Sequence, residues 1–62
     1  MYKVIWVKVA RKETIQTADH STEEAARHDA DARMAAYVKK FGPIAVFVTD
    51  EHDKELYRSV QS

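Results

Sequence analysis

The sequence predicts a small α+β domain of order β-β-α-β-β. A four-stranded antiparallel sheet, in spatial order 2-1-3-4, carries one helix on one face. Three observations predict this. The middle of the chain has a capping signal, a run of strong helix formers and a Gly-Pro stop. Two runs rich in β-branched and aromatic residues, YKVIWVKVA and IAVFVT, lie on either side of it. Beside each of these stands a more polar segment that reads as a further strand.

Residues 2–10 form the first strand, because Val, Ile, Trp and Tyr suit a pleated surface. Alternation puts Ile5, Val7 and Val9 on one face and Tyr2, Val4 and Trp6 on the other. A strand apolar on both faces sits centrally or has a partner over one side. Arg11 and Lys12 mark a turn, with no Asn-Gly or Asp-Gly to set its type. Residues 13–19 (ETIQTAD) read as a polar strand suited to a sheet edge.

The helix is expected over residues 22–40. Ser21-Thr22-Glu23-Glu24 reads as a capping box, with Ser21 as N-cap and the Glu24 carboxylate reaching back. Acids crowd the first half, and Arg33, Lys39 and Lys40 the second, in the order the helix dipole favours. Gly42 offers a left-handed C-terminal residue, and Pro43 prevents continuation. A helical wheel gives one apolar stripe of Ala26, Ala30, Met34, Tyr37, Val38 and Phe41, small at its start and large at its end. Ala25, Ala32 and Ala36 form a second patch. Glu24, His28, Asp31 and Lys39 face water.

Residues 44–49 are the third strand, and residues 50–54 a polar connector. Residues 55–60 (ELYRSV) favour a fourth strand, since Leu56, Arg58 and Val60 alternate cleanly with Tyr57 and Ser59. The other reading is a short helix capped by Asp50. If the long helix crosses back over the sheet, the third strand pairs antiparallel to the first.

The chain has 62 residues, read as a single domain over 1–62, with ten basic and ten acidic side chains and no cysteine. A domain this small buries only about 60% of the surface its unfolded chain exposes, so a partner is a common requirement. Disulfides and cysteine zinc sites are excluded. Zero net charge fits neither a strongly basic nucleic-acid protein nor an acidic DNA mimic. No apolar run is long enough to span a bilayer, and no leader pattern is present, so a cytoplasmic protein with no membrane association is expected.

One helix covers only one face of a four-stranded sheet. The favoured core is the aliphatic set Ile5, Val7, Val9, Ile44, Val46, Val48, Leu56 and Val60. The other face would then expose Tyr2, Val4, Trp6, Phe47 and Tyr57. In the opposite reading the aromatic set is core, accommodated by the Ala-rich helix, and the aliphatic face is left open. Either way an apolar face needs a partner. The expected partner-binding residues are Tyr2, Trp6, Phe47 and Tyr57, with the basic Lys8, Arg11 and Lys12. Aromatics and Arg are the usual anchors of protein interfaces, so a non-enzymatic protein-binding module is the first expectation. The alternative is a single-stranded nucleic-acid-binding module, stacking bases on Trp6, Phe47 and Tyr57. Lys3, Lys8, Arg11 and Lys12 put four positive and no negative charges in residues 1–12. The aromatic-glycine motifs of RNA-recognition sheets are missing, however.

Catalysis finds little support. A single glycine excludes a phosphate-cradling loop, and no catalytic residue or cofactor is expected. Glu24, His28 and Asp31 share a helix face, but no HExxH or paired-His spacing exists, and a solvated face explains them better than a metal site does.

The strand pair running into Thr17-Ala18-Asp19, the cap Ser21-Thr22-Glu23-Glu24-Ala25-Ala26 and the strand returning after Gly42-Pro43 together resemble small phage-encoded inhibitor proteins. These are the host RNA-polymerase inhibitors and anti-CRISPR proteins built from an antiparallel sheet and one helix. The resemblance is one of architecture, and it carries over no functional residue. It implies a viral protein that blocks a larger host complex by occupying a surface. A symmetric homodimer is also expected, by sheet contact through Trp6 or by helix contact through Ala25, Ala32 and Ala36.

Overall fold

A computed structural model of the chain describes residues 1–61. Its elements are β1 (Tyr2–Lys8), β2 (Glu13–His20), α1 (Glu23–Phe41), β3 (Ile44–Thr49) and β4 (Glu55–Gln61). The four strands form one antiparallel sheet in the order β2-β1-β3-β4. Architecture and strand order are those the sequence predicts, and residues 55–60 are strand rather than helix.

Local chemistry explains where elements begin and end. β1 stops at Lys8, two residues short of expectation, because the turn opens there and Lys12 enters the left-handed region at φ 52°. The helix N-cap is Thr22, not Ser21. The Thr22 hydroxyl accepts from the Ala25 amide at 3.1 Å. This moves the frame by one residue, so Ala25 occupies the third helical position and Glu24 the second. The expected reciprocal box of Ser21 and Glu24 therefore does not form. At the other end Gly42 adopts φ 87° and donates its amide to the Val38 carbonyl at 2.9 Å. In the β3–β4 connector, the Asp50 carboxylate accepts from the backbone amides of His52 and Lys54 at 2.8 and 2.9 Å.

Two bulges shape the edge strands. Register passes from Trp6↔Gln16 to Val7↔Thr14, which leaves Ile15 as the extra residue of β2. It passes from Val48↔Tyr57 to Thr49↔Glu55, which leaves Leu56 extra in β4. Bulges twist and interrupt an edge, making it a poorer template for added strands. At β4 the Arg27 guanidinium also donates to the Leu56 carbonyl at 3.2 Å.

The helix lies mainly over the two central strands. The core beneath it is Val4 and Trp6 from β1, Ile44, Val46 and Val48 from β3, and Ala26, Ala30 and Met34 from α1. Tyr2, Ile15, Ala18, Tyr37, Val38, Phe41 and Tyr57 close its rim. The favoured division of the sheet into an aliphatic core face and an exposed aromatic face is thus corrected. Register is the reason. Trp6 pairs with Val46 and Val4 with Val48, and directly paired residues share a face. Val46 and Val48 therefore go under the helix with Trp6, not with Ile5 and Val7. Ile5 pairs instead with Phe47.

Candidate functional site

The registers fix what the helix-free face presents. Reading across the sheet in the order β2-β1-β3-β4, one row is Thr17, Ile5, Phe47 and Arg58. The next is Thr14, Val7, Ala45 and Val60. The row on the other side is Asp19, Lys3, Thr49 and Glu55. Ile5, Val7, Ala45, Phe47 and Val60 are consequently neighbours. Ala45 is buried at 7% exposure between its neighbours, Ile5, Val7 and Phe47 are half-buried, and Val60 remains 59% exposed. No element of the described residues lies over them.

Charge surrounds this patch without bias. Arg58 places its guanidinium 5.5 Å from the centre of the Phe47 ring, a cation–π distance. It also pairs with Glu55 at 3.1 Å. Lys3 and Asp19 stand across the sheet. The face therefore carries two cations and two anions around an apolar centre.

The expected binding residues fall into three places. Trp6 is fully enclosed. It meets Tyr37 edge-on at 5.5 Å and lies under the Arg33 guanidinium at 5.5 Å. Tyr2 and Tyr57 pack on the rim of the core, and the Tyr57 hydroxyl donates to Asp31 at 2.8 Å. Lys8 turns toward the helix side, its ammonium 5.2 Å from the Phe41 ring, whereas Arg11 and Lys12 are exposed in the β1–β2 turn. Only Phe47 belongs to the open face. Trp6, Phe47 and Tyr57 consequently form no common stacking platform, because the helix covers two of the three. Sequence reasoning missed Ala45 and Arg58 as members of the site, and its favoured division assigned Ile5, Val7 and Val60 to the core. Alternation in β3 already separated Phe47 from Ile44, Val46 and Val48; what it could not give was the register that sets Ile5, and not Trp6, beside Phe47.

A second, polar feature lies on the β2 flank of the helix. His20, Thr22, Glu24, Ala25, His28, Asp29, Ala32 and Arg33 line an open depression of about 700 Å³. Three of its charged groups pair with one another. Asp29 receives His20 Nε2 at 2.7 Å on one oxygen and Arg33 Nε at 2.8 Å on the other. The Tyr37 side chain, and then the charge of Asp29, raise the Arg33 guanidinium above its ordinary pKa. Among the described residues no three His, Cys, Asp or Glu side chains are grouped to hold a metal ion, so Glu24, His28 and Asp31 do not converge. No helix of the described residues is long and apolar enough to cross a membrane.

Compared with protein-family models, with curated proteins and with solved structures, the chain matches none.

Proposed function

We propose that the chain is a non-enzymatic protein-binding module and that the helix-free sheet face is its binding surface. One observation carries the reading. Ile5, Val7, Ala45, Phe47 and Val60 form a continuous apolar patch on a face that no described element covers. Such patches on small domains mark interaction sites. Phe47, flanked by Arg58, has the composition of an interface anchor. Inhibition of a larger assembly by surface occupation is the form of this activity that the architectural resemblance implies. The face needs no reactive group to act in that way.

The test is affinity capture on immobilised chain, comparing wild type with Phe47→Ser. Phe47 is outside the helix-side core, so the variant should keep its fold, which circular dichroism checks. Specific partners recovered by wild type should be lost or reduced at least tenfold with Phe47→Ser. Equal recovery by both would remove the open face as the binding surface.

A further inference from the structure

We infer that the occupant of the open face is a second copy of this chain, related by a two-fold axis that runs across the strands between Phe47 and Ala45. This rests on the reading of that face as a binding surface and names its partner.

A two-fold interface must be self-complementary, since the same patch appears on both sides. This face meets the first condition, because its charges cancel. Lys3 and Arg58 balance Asp19 and Glu55, and the whole chain has a net charge of zero. The arrangement of residues then selects among axes. An axis along the strands would set β2 over β4 and bring Asp19 onto Glu55. An axis through the row of Phe47 would set Arg58 on Arg58. Like charges meet in both cases, at a cost.

An axis between the Phe47 and Ala45 rows exchanges those rows. Phe47 of each copy then lies over Ala45 of the other, a large side chain against a methyl. Ile5 lies over Val7, and Thr17 over Thr14. Arg58, already over its own Phe47 ring, lies over Val60. One row further out, Asp19 is brought toward Lys12, which stands in the turn beyond Thr14. This contact occurs twice, once on each side of the axis. The two sheets would stack at about 10 Å, the usual separation of face-packed sheets.

Area sets the size class of the interface. Strands about 4.8 Å apart and about 3.3 Å per residue give a face of roughly 400 Å², so two faces bury roughly 800 Å². That is below the ~1,200 Å² of standard stable complexes. An interface of that size belongs with weak, transient contacts, so association is expected at high protein concentration.

Sedimentation equilibrium of the purified chain, from about 10 µM to about 1 mM, tests the inference. The mean mass should rise from 7.1 kDa toward twice that value. Phe47→Ser should weaken association at least tenfold. Asp19→Lys and Lys12→Glu are exposed changes, and each alone should weaken it about twofold to fivefold, while the two together should restore it. A constant 7.1 kDa mass over the whole range would overturn the inference. So would a dimer indifferent to Phe47→Ser, or a double variant no stronger than either single one. If the chain stays monomeric while Phe47-dependent capture of other proteins persists, only the second copy is rejected and the binding surface stands. If neither association nor capture depends on Phe47, both readings fall.

Discussion

At the scale of single residues, Trp6 shows how burial and polarity separate. It is 0% exposed, yet its indole nitrogen has no hydrogen-bond partner. Its worth to the fold is therefore area and ring packing against Tyr37. Trp6→Phe, which loses no hydrogen bond, should cost about 1–2 kcal/mol, whereas Trp6→Ala should cost about 3–5 kcal/mol, much of the stability of a domain this size. Urea unfolding followed by circular dichroism would separate the two. Asp50 works the other way, wholly through polar contacts. Hydrogen bonds from the Lys54 amide first, and from the His52 amide, hold its carboxylate below the ordinary value of 3.8. A depressed folded pKa means that Asp50 contributes stability fully above that ordinary value and loses it as pH falls through the lower folded one. Asp50→Asn should therefore flatten the acid limb of a stability–pH curve. An unchanged limb would show that the connector does not depend on the charge.

At the scale of elements, the helix is oriented by its two flanks as well as by its buried stripe. Asp29 and Asp31 sit on opposite sides of Ala30. Asp29 reaches His20 on β2, and Asp31 accepts from Tyr57 on β4. β2 is tied to the helix by the His20–Asp29 contact, and β4 by Tyr57–Asp31 and by Arg27 to the Leu56 carbonyl, while Ala26 and Ala30 bring the axis close to the sheet between them. The start of the helix depends on Thr22, whose oxygen satisfies one of the amides that no helical carbonyl can reach. Thr22→Ala should cost about 1 kcal/mol, and Ser21→Ala within about 0.5 kcal/mol. Equal effects in thermal unfolding would return the cap to Ser21. Gly42, at φ 87° and ψ −150°, ends the helix in a region that is essentially glycine's. An added Cβ there would meet nothing within 4 Å. Gly42→Ala should nevertheless cost about 1–3 kcal/mol, through backbone strain alone.

At the scale of the whole molecule, the sheet divides the chain into a face that the helix covers and a face that no described element covers. Substitutions on the two should have separable consequences. Ile44→Ala, beneath the helix, should lower the unfolding free energy by about 2–5 kcal/mol. Phe47→Thr, on the open face, should change it by less than about 1 kcal/mol in dilute solution while raising solubility at high concentration. Denaturant titrations of the two variants and their combination should give nearly additive losses, since the residues point to opposite sides of the sheet. A large loss from Phe47→Thr would mean that the open face holds the fold together as well.

Local chemistry determined the elements of this protein, and the sequence alone shows them. The β-branched runs, the helix formers between Thr22 and Phe41, the Gly42-Pro43 stop and the alternation after Lys54 each act within a few residues. The order 2-1-3-4 follows from them, because a helix that crosses back lays β3 beside β1. What the sequence could not show is which face of the sheet the helix covers. β1 is apolar on both sides, so its own pattern permits either choice. The pairing of Trp6 with Val46, rather than of Ile5 or Val7 with Val46, made that choice. A slip of one residue would have exchanged every side chain between core and surface. Bulges at Ile15 and Leu56 shifted the phase of both edge strands in a way no propensity records. The candidate site was legible as the existence of an uncovered apolar face. Its membership was decided by tertiary structure, because only long-range register says whether Trp6 or Ile5 lies beside Phe47.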